Sequence, residues 1–439
     1  MRSMVKALAL VTACAAASMA ASRCAPAGDA DRPPAASWTS GSSPDSIAAW
    51  AQRGCRDVTP RGDCLERALI SVIRPAGVDK AMAALAVLVR DDAEVANDSH
   101  VYAHGIGIAA YESPETVSHT FSRCTADFQA GCYHGVIQAY FGDSRGGGAG
   151  VSAAKLHALC LSYRGPETRL LQFHCAHGIG HGLMAVESHD LMRALDSCDL
   201  LGESIEKNAC WGGAFMENLV NATQPHHMNV TRVADVGGQG QENHQDAEAG
   251  HDTRAGRHTG TEHGHGARKF KALDPNDPLY PCNMVKEHHR RACYLFQTSA
   301  ILSRNNGDFR DAAQKCGTAP ERYRPSCYIS LGRDANSWAS GNPRDAIAHC
   351  TVAPAAGQPY CIIGLVTNAI TADANDGFAV CRMVMDRNKP ACYLAVGQQI
   401  GLLHPDPPGR ERACRAVDPG YVHECRRGAG LPLGSVAGG

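Results

Sequence analysis

The chain has 439 residues, with 42 Lys and Arg against 44 Asp and Glu, for a net charge of −2. That balance argues against an electrostatic nucleic-acid binder, and no acidic tail marks a solvating segment. Aromatic residues make up only 6%, while Gly (45), Cys (20) and His (21) are plentiful, which suits closely packed helices better than a broad β core.

The chain opens like an export signal. Arg2 and Lys6 precede an uncharged apolar run from Ala7 to Ala21, and small residues at Ser18, Ala20 and Ser22 allow cleavage, so residues 1–22 are expected to be removed. The run is too short for a good transmembrane anchor, and no later segment is long and apolar enough to span a bilayer. Val11-Thr12-Ala13-Cys14 also resembles a lipoprotein box, which leaves a lipid anchor at Cys14 as the alternative processing. Residues 23–46, rich in Pro, Ala, Ser and Gly, read as a disordered linker.

Export makes regularly spaced cysteines a disulfide framework. Within 47–223 they fall at Cys55/Cys64, Cys124/Cys132, Cys160/Cys175 and Cys198/Cys210. The interval from Cys55 to Cys124 covers two units, and the one between, around 78–112, keeps a helical pattern without cysteine. From Cys210 to Cys282 the spacing is 72, against 28 from Cys132 to Cys160. The excess, residues 224–268, is polar and too poor in apolar residues for a core, so a flexible insertion is expected. Within 269–428 the pairs are Cys282/Cys293, Cys316/Cys327, Cys350/Cys361, Cys381/Cys392 and Cys414/Cys425, each separated by 11 residues. A period in the low thirties is the signature of stacked helical hairpins. Asp345–Cys350 reads as the end of a first helix, 351–359 with two prolines as a turn, and Cys361–Val366 as a buried second helix. Pairing of neighbours is the simplest connectivity for such a pattern. The expected fold is all-α: a disulfide-stapled α-hairpin solenoid of about ten units, with a short tail at 429–439. Helices near ten residues are marginal alone, and each staple would contribute about 3 kcal/mol on the chain-entropy account.

Cys124 and Cys132, followed by Tyr133-His134-Gly135, resemble the cysteine-rich Sel1-like branch of the tetratricopeptide superfamily. The resemblance covers architecture over most of 47–428. It implies an exported helical-hairpin solenoid with one disulfide per repeat. Most units here use an eleven-residue spacing that departs from that family's pattern, so no binding residues carry over.

The histidines form two groups. Aligned second helices read Tyr102-Ala103-His104-Gly105, Cys132-Tyr133-His134-Gly135 and Cys175-Ala176-His177-Gly178, so His104, His134 and His177 share one register. Equivalent positions of stacked units lie side by side. In His174-Cys175-Ala176-His177-Gly178-Ile179-Gly180-His181-Gly182 the three flanking histidines share a helix face, and His177 and His181 have the i,i+4 spacing that chelates zinc. Glu217 and Asn218, one unit on, are candidates for a further ligand or a supporting partner. The metal set predicted is therefore His104, His134, His174, His177, His181 and Glu217, for zinc, copper or iron. The competing reading is a row of structural histidines bonded to backbone carbonyls. Position 178 is Gly, not the Glu of a zinc-protease box.

The second group, His226, His227, His244, His251, His258, His263 and His265, lies in the insertion and is expected to capture metal loosely. His288-His289-Arg290-Arg291 reads as a solvated helix face. No P-loop, dinucleotide fingerprint or Gly-x-Ser-x-Gly occurs, and no acid–base pair identifies a reaction. Two functions follow: an exported metal-binding repeat protein, or a scaffold whose concave face binds a protein or cell-wall partner.

Overall fold

The structure is a computed structural model that describes residues 37–143, 150–223, 271–339, 342–370 and 374–433. Among these residues every regular element is a helix, and the one β-type pairing is an isolated bridge between Asp274 and Asp277. No described helix is long and apolar enough to cross a membrane.

The helices follow one another as hairpins. In the first half these are α1 (Pro44–Cys55) with α2 (Arg61–Ala76); α3 (Val78–Asp91) and the short α4 (Ala93–Asn97) with α5 (Ser99–Ala110); α6 (Val117–Ser122) with α7 (Asp127–Gly142); α8 (Ala153–Leu159) with α9 (Arg169–Val186); and α10 (Leu191–Cys198) with α11 (Ser204–Thr223). The second half has α12 (Glu287–Tyr294) and α13 (Gln297–Arg304), α14 (Phe309–Thr318) with α15 (Arg324–Trp338), α16 (Pro343–Thr351) with α17 (Gln358–Ala369), α18 (Ala374–Met383) with α19 (Lys389–Leu403), and α20 (Pro407–Cys414) with α21 (Val422–Gly428). Ordered structure starts inside the segment expected to be a disordered linker: Trp38 packs edge-on against Trp50 at 5.4 Å.

The hairpins are written into the local sequence. First helices start at residues whose side chains accept from the free N–H groups of the first turn: Ser152, Asp190, Asp308, Asn342 and Asp406. They stop at or near the first cysteine, and the second helix opens around its partner. The bridges join Cys55–Cys64, Cys124–Cys132, Cys160–Cys175, Cys198–Cys210, Cys282–Cys293, Cys316–Cys327, Cys350–Cys361, Cys381–Cys392 and Cys414–Cys425. Eight of these clamp the corner of a single hairpin, and Cys282–Cys293 ties the turn before α12 to α12 itself. In the unit without a bridge, Tyr102 stands where α7 and α9 carry cysteine and is itself buried.

The second helices stack on one another, and glycine sets how closely. A Cβ on Gly107 would overlap the Cys132 carbonyl, and one on Gly135 would overlap the His104 carbonyl. The same reciprocal contact joins Gly180 with Cys210 and Gly213 with His177; Gly332 with Cys361 and Gly364 with Ile329; Gly397 with Cys425 and Gly428 with Leu394. In each pair one helix has its glycine five residues after the cysteine position and the next has it three residues after. The packing repeat is thus two hairpins, twice the cysteine period. Only a residue without Cβ lets two backbones approach so closely.

The two halves also touch. Gln129 Nε2 donates to Ser337 Oγ at 3.1 Å, the His177 and Phe296 rings lie 6.3 Å apart, and α19 contacts α9. The second helices of the C-terminal half therefore turn back toward those carrying the histidines. Within the first half, Arg164 grips Glu206 through two hydrogen bonds of 2.8 Å, and Gln172 adds one of 3.0 Å. Glu206 is only 1% exposed. Glu206→Ala would leave Arg164 with only the exposed Glu203, 3.9 Å away, and is expected to cost about 1–2 kcal/mol, read from a denaturant midpoint; a loss under about 0.5 kcal/mol would make the pair incidental.

Candidate metal centre

Four successive second helices build the site. α5 supplies His100 and His104, α7 His134, α9 His174, His177 and His181, and α11 Glu217. One nitrogen from each of His134, His177 and His181 lies within 4.8 Å of the others, and all three residues are buried. Their ring centroids are 4.5 Å (134–177), 5.0 Å (134–181) and 5.2 Å (177–181) apart. A second group within the same limit comprises His104, His181 and Glu217, also all buried.

The hydrogen bonds fix where protons sit. Glu217 Oε2 is 2.7 Å from His181 Nδ1. An ionised carboxylate only accepts, so Nδ1 carries the proton and Nε2 keeps its lone pair. That Nε2 is buried and has no hydrogen-bond partner among the described residues. His177 Nε2 and both ring nitrogens of His134 are in the same position. Leaving a buried polar atom unpaired costs about 1–3 kcal/mol, so several in one cavity call for a ligand. A carboxylate on the far nitrogen of an imidazole is the usual support of a metal-bound histidine.

His100 was missed by the sequence reading, although His100 and His104 repeat the i,i+4 spacing of His177 and His181. Its Nδ1 donates to the Phe128 carbonyl at 2.9 Å, which leaves the lone pair on Nε2. Its ring lies 5.5 Å from His134 and 6.0 Å from His104. The accepting carbonyl belongs to a left-handed turn, Phe128, Gln129 and Ala130, with φ of 53°, 55° and 61°. Three such residues in succession cost of order 1 kcal/mol or more each, and this turn serves His100 on one side and Ser337 on the other.

His174 stands at the edge. Its ring stacks on Tyr133 at 5.4 Å and is 6.0 Å from His134, and it belongs to neither ligand group. Asn218 faces away and donates to the Ala272 carbonyl at 3.0 Å. His226, His227, His244, His251, His258, His263 and His265 lie outside the described residues, as do Cys14 and residues 1–22.

Burial, reinforced by neighbouring imidazoles, holds His134 and His177 well below the usual histidine range, and burial brings His174 down to about 4. These rings are neutral in the fold, the form that binds metal. In the unfolded chain each takes up a proton near pH 6.5. The metal-free protein should therefore lose stability as pH falls below about 6.5, by up to ~1.4 kcal/mol per pH unit for each ring that stays neutral. For His174 the loss levels off near pH 4. Denaturation midpoints between pH 7.5 and 5 check this; a flat profile would mean the rings protonate freely.

Among the described residues the second half has no counterpart of this cluster. Ile329, Ile363 and Leu394 occupy the register of the histidines. Its interior polar set is instead Asp334, which accepts from Thr298 Oγ1 at 2.6 Å, from Ser299 Oγ at 2.9 Å and from Arg333 Nη2 at 2.8 Å. The reading of 288–291 as a solvated face is corrected at His289 alone; His288 and Arg291 are exposed and Arg290 is half-buried. His289 is buried, and both imidazoles bond Asp199, because α12 lies against α11 and its first turn meets the end of α10. No family model, curated protein or solved structure matches the chain.

Proposed function

We propose that this is an exported helical-repeat protein that binds one transition metal ion through His134, His177 and His181, with Glu217 orienting His181 and with His100 and His104 completing the wall. The observation that carries the reading is the convergence of three buried imidazoles whose nitrogens lie within 4.8 Å of each other, several of them without a partner among the described residues. Imidazole donors suit zinc, copper or iron. Nine disulfides fit an oxidising compartment. We read the hairpins as a solenoid of about ten units of the Sel1-like, tetratricopeptide type. The first half carries the site, the second half braces it, and 224–268 is an insertion between them. The role is metal buffering, delivery or a metal-dependent activity.

Metal analysis of the purified full chain tests this, beside His177→Ala and a variant lacking 224–268. A bound ion that is retained without the insertion, and a stoichiometry that falls by one ion with His177→Ala, support the reading. Metal that disappears only with the insertion points to loose capture by that segment. No metal in any of the three leaves a scaffold with structural histidines.

A further inference from the structure

Outside this cluster, the structure assigns a second cation site to Asp199, His288 and His289, where the end of α10 meets the first turn of α12. We propose that it takes a borderline divalent transition ion such as zinc, nickel or Cu(II).

Adjacent residues on a helix point about 100° apart, so two neighbouring histidines seldom share a target. Here His289 Nε2 is 3.0 Å from Asp199 Oδ1 and His288 Nε2 is 3.1 Å from Oδ2, and the ring centroids are only 4.0 Å apart. One ligand atom from each residue lies within 4.8 Å of the other two. Two imidazoles and one carboxylate form a common zinc or copper donor set, whereas calcium and magnesium need more oxygens. Trp211 Nε1 donates to Asp199 Oδ1 at 3.0 Å. That bond anchors Oδ1, while the two Nε2–H groups donate to Oδ1 and Oδ2; an ion binding here would take the place of those two protons. The nearest ammonium, Lys286, is drawn to Asp196 at 2.6 Å.

The walls differ. His289 is 1% exposed, Asp199 28% and His288 51%, so one side is built into the fold and the other is open for an ion to enter with its waters. Asp199 belongs to the hairpins before the insertion and His288 to those after it. An ion held here clasps the two halves across a stretch of 89 residues.

The site carries its own reporter, because the Trp211 ring lies 5.0 Å from His289 and 5.5 Å from His288. The full chain is titrated with Cu(II) while tryptophan emission is followed, and with zinc by equilibrium dialysis. His288→Ala is the main variant because its side chain is half exposed; Trp211→Phe and His177→Ala are run in parallel. The expected result is quenching in the wild type that Trp211→Phe abolishes, that His288→Ala weakens by more than about 100-fold, and that His177→Ala leaves in place. Zinc stoichiometry should drop by one ion in His288→Ala. Quenching or stoichiometry unchanged in His288→Ala, or no second ion at all, overturns the proposal. Because His177→Ala affects only the buried cluster, either site can fail without the other.

Discussion

Zinc added to the metal-free protein is expected to raise its unfolding midpoint, and His134→Ala or His177→Ala to abolish the share of that rise that His288→Ala leaves. An ion that binds only the folded chain stabilises it by RT ln(1 + [L]/Kd), about 4 kcal/mol at a thousandfold excess over Kd. The free protein is the weaker partner in this comparison, because it buries imidazole nitrogens that no described residue bonds. Glu217→Ala removes the acceptor on His181 Nδ1 and should weaken zinc binding about 10–100-fold. Glu217→Gln, which keeps an accepting oxygen, should retain part of the affinity. Melts must be run without thiols, which would chelate the ion and open the bridges. A midpoint indifferent to zinc, with no zinc kept on dialysis, would leave the histidines a purely structural role.

Gly213→Ala and Gly332→Ala should each destabilise the fold by about 3 kcal/mol or more. This outcome has the opposite sign to helix propensity, which favours Ala over Gly by about 1 kcal/mol in a helix interior. In both cases the added methyl would sit on a backbone carbonyl of the next helix, that of His177 or of Cys361. A flexible side chain can move aside, but a carbonyl in a helix moves only with its helix, so the stack must open. The two substitutions differ in reach. Gly213→Ala displaces the backbone of a proposed ligand and should also weaken metal binding, whereas Gly332→Ala acts in the half without imidazoles. Gly420→Ala is the control, since nothing lies within 4 Å of the added atom. A stability gain at 213 or 332 would show that the helices are farther apart than described.

Much of this was legible in the chain because its signals are local. Cysteines 11 residues apart mark hairpin corners, and prolines and glycines mark the turns. The register of His104, His134 and His177 and the pair His177/His181 pointed to the right helices. His100 was equally available from its spacing to His104, but it lies two residues before the cysteine position, outside the His-Gly register that the aligned units share. The two-hairpin packing period was available too, in glycines alternating between three and five residues after the cysteine position.

Other features exist only in three dimensions. The rings of His104 and His181, carried by helices two units apart, come within 5.3 Å. The packing of α5, α7 and α9 thus gathers the expected row into a cluster and leaves His174 at its edge. The partners of His288 and His289 come from Asp199, 89 residues earlier, and local pattern says nothing of such a contact. Periodicity and spacing determined which helices form and where they are clamped, because those choices depend on residues within one hairpin. Which side chains meet depended on how closely and at what angle the hairpins pack, and that is decided by glycines and carbonyls on different helices.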